Sequence, residues 1–191
     1  MFLYSGTILN YNNQNYIIKS NANYSYNCDP IKIFDFNGNK INEINNSSYD
    51  TYIIDTYYDN NFNKNYIITG NKGSVISYDF NGNKIYNVYH ESDDKYRHNS
   101  ILIKNMDETI KLIESSRKGI IRIWKFYNGE LLKKINVIIW NLLWNNDNLF
   151  VGCQDKTIKL INIKNGKTTK ILSGDREEVV TIKKIIHPKY G

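Results

Sequence analysis

The chain has 191 residues, and just over half of them belong to four types: 30 Ile, 30 Asn, 21 Lys and 16 Tyr. Ile and Tyr favour strands and Asn favours turns, whereas Ala, the best helix former, occurs only once. The composition therefore predicts an all-β chain of many short strands. Two cysteines exclude a disulfide-rich secreted domain, and the formal charge of +6 comes from lysines that are spread along the sequence.

The N-terminal segment has no basic region followed by a sustained apolar run, and no stretch is long and apolar enough for a membrane span. The sequence thus predicts neither a signal peptide nor a transmembrane helix. Cys28 and Cys153 are far apart and form no CxxC pair, which suits a reducing compartment. We expect a cytoplasmic protein, with the nucleus as the alternative.

A strand that runs into Asn-Gly recurs four times along the chain. Asn-Gly is a strong hairpin signal, because a type I′ turn needs positive φ at both central residues and these two types tolerate it. The glycines stand at positions 38, 82, 129 and 166, so successive copies are 44, 47 and 37 residues apart. The four copies are residues 31–38, 75–82, 121–129 and 158–166.

Each copy is preceded by two β-rich runs and followed by another, which makes four strands per unit. This pattern at this spacing is typical of the blades of a β-propeller. The fold class predicted is all-β, a propeller segment of about four antiparallel blades plus the first strand of a fifth. The predicted units are residues 2–46, 50–90, 99–136 and 138–173, and the strand of the fifth lies within 178–191.

The units resemble those of the WD-repeat (tryptophan-aspartate repeat) β-propeller family over nearly the whole chain. Trp124 stands at the aromatic position of the third strand in the third unit. Phe34-Asp35 and Tyr78-Asp79 occupy the place of the dipeptide that names the family. No unit has an intact Trp-Asp or Gly-His pair, so we expect the blades to be stabilised by packing and turn chemistry instead of the family's hydrogen-bond relay.

In the fourth unit, residues 151–160 resemble the family's second strand, its Asp-containing turn and its third strand. The resemblance implies a non-catalytic scaffold that binds other proteins, with no cofactor and no metal. Loops 89–99 and 115–119 are the ones predicted to present recognition surfaces. The alternative is binding of nucleic acid or an anionic surface through basic rim residues, for which the candidate loop cluster is Arg97, Arg117 and Lys118. The pairs Lys133-Lys134 and Lys183-Lys184 fall in alternating strands, where paired lysines are typical of solvated edges.

Ring closure is the open structural question. Propellers close with four to eight blades, and an unclosed sheet edge is prone to aggregation. Four units and one strand account for all 191 residues. The expectation is therefore a truncated product, an open half-propeller, or a half-ring that another chain or a C-terminal continuation closes.

The three tryptophans are candidates for either binding or packing. We predict that Trp124 packs between blades, because it lies within a strand at the repeat's aromatic position. Trp140 and Trp144 are four residues apart, which places them on one face of a strand if alternation holds. Their predicted role is core packing or contact with a partner.

Catalytic and metal motifs are weak in this sequence. His90, His98 and His187 lack metal-ligand spacing, and His90 with Asp93 is the one pair worth testing for hydrolysis. Residues 70–73 have the glycines of a phosphate loop, but they are predicted to form a turn between two strands with no helix behind it. We therefore expect that the protein is not an enzyme.

Overall fold

A computed structural model describes residues 2–22, 30–45, 51–71, 73–89, 98–106, 109–116, 118–145, 147–174, 177–179 and 182. Sixteen strands are found there. They are β1 (Phe2–Tyr11), β2 (Gln14–Ala22), β3 (Ile31–Phe34), β4 (Lys40–Ile44), β5 (Ile53–Asp59), β6 (Lys64–Gly70), β7 (Val75–Tyr78), β8 (Lys84–Tyr89), β9 (His98–Met106), β10 (Thr109–Ser116), β11 (Ile120–Lys125), β12 (Leu131–Asn136), β13 (Ile139–Asn145), β14 (Asn148–Cys153), β15 (Ile158–Asn162) and β16 (Thr168–Leu172).

Each set of four consecutive strands forms one antiparallel sheet in which neighbours in sequence are neighbours in space. The predicted architecture of four four-stranded units is thereby confirmed. The first strands of successive sheets, β1, β5, β9 and β13, lie against one another, so the sheets are arranged around a common axis with their fourth strands outermost. The predicted strand of a fifth unit falls almost entirely outside the described residues. The described residues include no helix that is long and apolar enough to cross a membrane.

The hydrophobic core consists of three layers, each between two consecutive sheets. We call the face of a sheet toward the preceding sheet its leading face, and the face toward the next sheet its trailing face. Ile18 and Ile33 on the trailing face of the first sheet pack with Ile67 on the leading face of the second. The second layer contains Trp124, which is 4% exposed, so its predicted packing role is confirmed. The third layer joins the third and fourth sheets through residues such as Ile123 and Leu149.

The turns after β3 and β7 differ from the predicted type I′. The N–H of Gly38 donates to the carbonyl oxygen of Asp35 at 3.1 Å, and Gly38 has a φ of 87° while Asn37 does not have positive φ. This is a type I turn followed by a left-handed glycine. The Asp35 carboxylate selects it, because Oδ1 accepts the N–H groups of Asn37 and Asn39 at 2.9 and 2.8 Å. The turn over residues 79–83 has the same backbone hydrogen bonds.

The turns after β11 and β15 are one residue longer. Gly129 N–H donates to the carbonyl of Lys125 at 3.0 Å, and Gly166 N–H donates to that of Asn162 at 2.7 Å. Each glycine again has positive φ, and the asparagine before it does not. The Asn-Gly prediction was thus right about the position of all four turns and wrong about their type, since only the glycine adopts the left-handed conformation.

A buried ion pair crosses the third sheet. Arg122 on β11 lies opposite Glu114 on β10, and Arg122 Nη1 donates to Glu114 Oε1 at 3.0 Å. Both side chains are 1% exposed. They project from the leading face, as Trp124 does, and so lie in the layer between the second and third sheets. Two charges removed from water in this way depend on each other, because either one alone would be uncompensated.

Replacing Arg122 with Ala should lower the free energy of unfolding by about 3–5 kcal/mol, because the buried Glu114 carboxylate would lose its ion pair with Arg122. The double change Glu114→Leu with Arg122→Met should cost much less, since both charges of the pair are then removed. Lys125→Ala, which removes an exposed ion pair with Glu130, is the control and should cost less than about 1 kcal/mol. Urea denaturation measures the free energy of unfolding of all three variants. Equal losses of stability in the single and the double variant would contradict the interpretation that the loss comes from breaking the buried ion pair.

Candidate interaction cleft

The connections of each sheet fall on two opposite edges. In an antiparallel order, the turn after the first strand and the turn after the third strand lie on one edge, which we call the turn edge. The connection after the second strand and the connection to the next sheet lie on the other. A cleft of about 790 Å³ opens at the turn edge between the first and second sheets. Its size is that of a typical ligand site.

Two left-handed turns form the rim of this cleft. Asn12 and Asn13, with φ of 50° and 60°, join β1 to β2 in a two-residue turn, and Asn63 has a φ of 49° just before β6. Positive φ at both Asn12 and Asn13 is the type I′ geometry. Within the described residues, the remaining non-glycine residue with positive φ is Lys156, between β14 and β15 at the opposite edge. Left-handed asparagines are therefore concentrated at the cleft.

Aromatic stacking fixes the floor of the cleft across the two sheets. The ring of Phe80, in the turn after β7, stacks on Tyr11 with centroids 4.3 Å apart and planes 1° from parallel. Tyr16 meets the same ring edge-on at 5.0 Å. From the outer strand β4, Asn42 Nδ2 donates to the carbonyl oxygen of Phe80 at 2.8 Å. These contacts hold the turn of the second sheet against the first sheet.

The surface of the cleft is polar but carries little free charge. Asn12, Asn13 and Asn81 are exposed, and their amide groups make no hydrogen bond within the described part of the chain. The Asp79 carboxylate is already occupied, because Asn83 donates to Oδ1 through its N–H and to Oδ2 through its amide, both at 2.8 Å. The charged residues among the described lining of the cleft are therefore Lys64 and Asp79, and the Asp79 carboxylate oxygens already accept hydrogen bonds.

An exposed aromatic ring completes the cleft. Tyr58 is 47% exposed and lines the cleft, and its hydroxyl donates to Asn63 Oδ1. That hydrogen bond orients the ring and the Asn63 amide together. The arrangement offers amide groups, each with two donors and one acceptor oxygen, beside an aromatic surface. Such a surface can pair with the peptide groups of another polypeptide while packing against one of its apolar side chains.

A second contact at the turn edge joins the second and third sheets. Tyr127, in the turn after β11, donates its hydroxyl to Asp59 Oδ2 at the end of β5, and Asp59 is fully buried. Oδ1 of Asp59 accepts the N–H of Asn61 at 2.9 Å. Burial, followed by the hydrogen bond to Asp59, raises the pKa of Tyr127 well above its ordinary value. The edge of Phe62 covers the Tyr127 ring at 5.4 Å.

Of the two recognition loops predicted from sequence, the one at residues 115–119 falls at the other edge. Ser115 and Ser116 form the end of β10 and their side chains are fully buried, and β11 begins at Ile120. Most of loop 89–99 lies outside the described residues, and so do Arg97 and Arg117. The predicted basic rim cluster, including Lys118, is therefore untested and stays a prediction. The turn predicted for residues 70–73 is confirmed, since β6 ends at Gly70 and β7 begins at Val75.

The other aromatic and histidine predictions have mixed outcomes. Trp140 is half-buried at a position where the pairing register of β13 shifts, between Ile139 and Asn141. The regular alternation behind the prediction that Trp140 and Trp144 share a face is interrupted there. The side chain of Trp144 is not among those described, so the shared face stays a prediction. His90, Asp93 and His187 lie outside the described residues, and His98 is described only as part of strand β9.

The sequence analysis did not single out the cleft residues. With 30 asparagines in the chain, the composition gives no reason to prefer Asn12, Asn13 or Asn63. One signal was present, because Asn12-Asn13 separates two alternating strands by two residues, which is the length of a type I′ hairpin loop. The proximity of this hairpin to Asn63 and Phe80 depends on sheet stacking and is not visible in the sequence.

Comparisons with known proteins identify the fold. No family model matches the sequence, and a sequence search among curated proteins finds no significant match. The structure is similar to the WD40 beta propeller domain of Doa1, with a TM-score of 0.68 and 13% identity over 93% of this chain. The chain has the fold of a β-propeller segment. Each four-stranded sheet is accordingly one blade, and the all-β propeller prediction is confirmed.

A second similar structure is the crystal structure of the computationally designed Ika8 protein, with a TM-score of 0.69 and 16% identity over 96% of this chain. The matched regions are 53% of the Ika8 chain and 56% of the Doa1 domain. The chain therefore spans about half the length of the solved structures it resembles. At these identities the similarity concerns the fold alone.

Replacing Tyr127 with Phe should lower the free energy of unfolding by about 1–3 kcal/mol, because the buried Asp59 carboxylate loses a donor. The pH dependence should also change. The unfolded chain releases the phenolic proton near the ordinary pKa of 10.0, whereas the folded chain retains it, so stability falls as pH rises above that value. This fall should be smaller in Tyr127→Phe. Urea denaturation between pH 8 and 11 measures it.

Tyr58→Phe is the matched control, because it removes a hydroxyl whose hydrogen bond to Asn63 is exposed. Its unfolding free energy should follow that of the parent protein at every pH. A Tyr127→Phe protein with the stability and the alkaline profile of the parent would show that the contact between Tyr127 and Asp59 does not stabilise the fold.

Proposed function

We propose that this chain is a WD-repeat-like propeller segment that serves as a non-catalytic scaffold for protein–protein interaction in the cytoplasm. The observation that carries the proposal is the cleft between the first and second blades. The side-chain amides of Asn12, Asn13 and Asn81 have no partner within the described residues, and contacts across two blades hold the floor of the cleft in place. A surface that is ordered before binding loses little entropy when a partner binds.

The chemistry of the cleft favours a polypeptide segment as its occupant. Asn12 and Asn13 can each donate to a peptide carbonyl and accept from a peptide N–H, so an extended segment can hydrogen bond along the rim. The exposed ring of Tyr58 offers a contact for an apolar side chain of that segment. One positive residue, Lys64, and one negative residue, Asp79, line the cleft, so it does not require a strongly charged partner.

Substitution of the left-handed asparagines by glycine tests this function. Glycine adopts positive φ without strain, so Asn12→Gly with Asn13→Gly removes both amides and keeps the turn. Lys156→Gly, at a left-handed position on the opposite edge, is the matched control. A phage-displayed library of random 12-residue peptides selected on the 191-residue chain provides the probe, and titration calorimetry measures the synthesised peptides.

We expect selected peptides to bind the parent chain and the Lys156→Gly control equally. Binding to the Asn12→Gly, Asn13→Gly chain should be at least about tenfold weaker, since each lost hydrogen bond is worth about 0.5–1.5 kcal/mol. Peptides that bind all three chains equally would show that recognition takes place elsewhere on the scaffold. That result would contradict the proposal that the cleft is the binding site. A failure to select any peptide, together with turnover of a small molecule by the chain, would contradict the proposed function as a non-catalytic scaffold.

A further inference from the structure

Each blade carries an exposed Asn-Gly pair at the turn edge, after its third strand. Asparagine followed by glycine is prone to deamidation, because glycine has no Cβ to hinder the attack of its backbone nitrogen on the preceding side chain. The pairs are Asn37-Gly38, Asn81-Gly82, Asn128-Gly129 and Asn165-Gly166.

Two of the four side chains are held by the backbone. Asn128 Oδ1 accepts the N–H of Glu130 at 3.1 Å, and Asn165 Oδ1 accepts the N–H of Lys167 at 2.8 Å. An asparagine side chain must rotate to bring its Cγ to the nitrogen of the following residue. Each of these two must first break its hydrogen bond, so the fold protects them.

The side-chain amides of the other two, Asn37 and Asn81, make no hydrogen bond within the described part of the chain. Both stand in the same local sequence, Asp-Phe-Asn-Gly-Asn-Lys, at residues 35–40 and 79–84. The backbone hydrogen bonds of their turns are also the same. The two positions thus form a matched pair that differs in its surroundings, since Asn81 lines the cleft and Asn37 does not.

We propose that Asn37 and Asn81 are sites of spontaneous deamidation, and that conversion of Asn81 turns the cleft into a negatively charged surface. The second part rests on the proposed function of the cleft. Lys64 and Asp79 are the charged residues in its described lining, and their charges are opposite. A carboxylate at position 81 therefore leaves the lining with one net negative charge.

The reaction needs only water. The backbone nitrogen of Gly82 forms a bond to Cγ of Asn81, and the bond from Cγ to the amide nitrogen breaks. That nitrogen leaves as ammonia with the proton of the Gly82 N–H, and a succinimide remains. Water then adds to one of the two succinimide carbonyl carbons, whose bond to the Gly82 nitrogen breaks, and the nitrogen regains a proton. The product is aspartate or isoaspartate, according to which carbonyl reacts.

The same reaction has a larger structural effect at Asn81 than at Asn37. The turn of Asn81 is pinned to the first blade, where Asn42 Nδ2 donates to the carbonyl oxygen of Phe80 at 2.8 Å. A Cβ at Gly82 would lie 3.4 Å from Cγ1 of Ile44, whereas one at Gly38 would meet no atom of the described chain within 4 Å. Isoaspartate lengthens the backbone by one methylene, so at position 81 it also disturbs the floor of the cleft.

Mass spectrometry of the 191-residue chain tests the sites. The chain is aged in mildly alkaline buffer, once folded and once unfolded in guanidinium chloride, and fragment masses then show which asparagine amides have become carboxyl groups. The unfolded chain gives the rates that local sequence sets. Folding should slow Asn128 and Asn165 about 2- to 10-fold more than Asn37 and Asn81, the factor that corresponds to one ordinary hydrogen bond. Equal slowing at all four positions, or less slowing at Asn128 and Asn165, would overturn the assignment.

Asn81→Asp carries the carboxylate that deamidation produces and tests the change of charge. The probe is a peptide selected on the parent chain whose binding Asn12→Gly with Asn13→Gly weakens, synthesised as two series that move one lysine or one glutamate along it. At the most sensitive position, the Asn81→Asp chain should favour lysine over glutamate by at least about fivefold more than the parent does, since two charges about 4 Å apart in water interact by about 1 kcal/mol. Asn37→Asp is the matched control and should bind as the parent does.

The outcomes separate this inference from the proposed function. If the Asn81→Asp chain shows the parent's preference while binding still depends on Asn12 and Asn13, the change of charge is overturned and the cleft remains a peptide site. Peptides that do not depend on Asn12 and Asn13 would instead overturn the cleft as a binding site, and with it the role of Asn81 in recognition. The mass-spectrometric result decides the modification sites in either case.

Discussion

Face-to-face packing of four-stranded sheets is the interaction on which the rest of this structure depends. Each inner sheet is covered on both faces, so its strands carry apolar residues at successive positions, as Ile67-Ile68 and Ile120-Ile121 do. The chain's 30 isoleucines fit this need, because β-branched side chains pack well on a pleated surface. A charge buried within a layer needs a partner of opposite charge, which accounts for the contact between Arg122 and Glu114.

The cleft is a consequence of the same packing. Stacking brings the β1–β2 turn of one blade next to the turn after β7 of the next, and neither turn forms a cleft alone. The contact of Phe80 with Tyr11 belongs both to the layer between the blades and to the floor of the cleft. A partner that binds there therefore contacts a surface supported by the core, which keeps its geometry fixed during recognition.

The apolar face of the first blade and the cleft are separate surfaces of the molecule. Ile17 and Phe36 expose apolar surface where an inner blade would be covered. Asn12, Asn13 and Tyr58 expose amides and a ring beside a fixed floor, which concerns recognition. The two surfaces share no residue, so a change in one can be studied without disturbing the other.

The sequence by itself determined the strands, their grouping in fours and the position of each Asn-Gly turn, because alternation, β-branching and turn residues act over a few neighbouring positions. It also placed Trp124 in the core. The sequence did not predict the type of these turns correctly. After β3, for example, hydrogen bonds to the Asp35 carboxylate favour a type I turn. The pairing of Arg122 with Glu114, the contact of Tyr127 with Asp59 and the cleft at Asn12 required tertiary structure. Strand register and blade stacking bring these residues together, and such long-range contacts leave no local pattern in the chain.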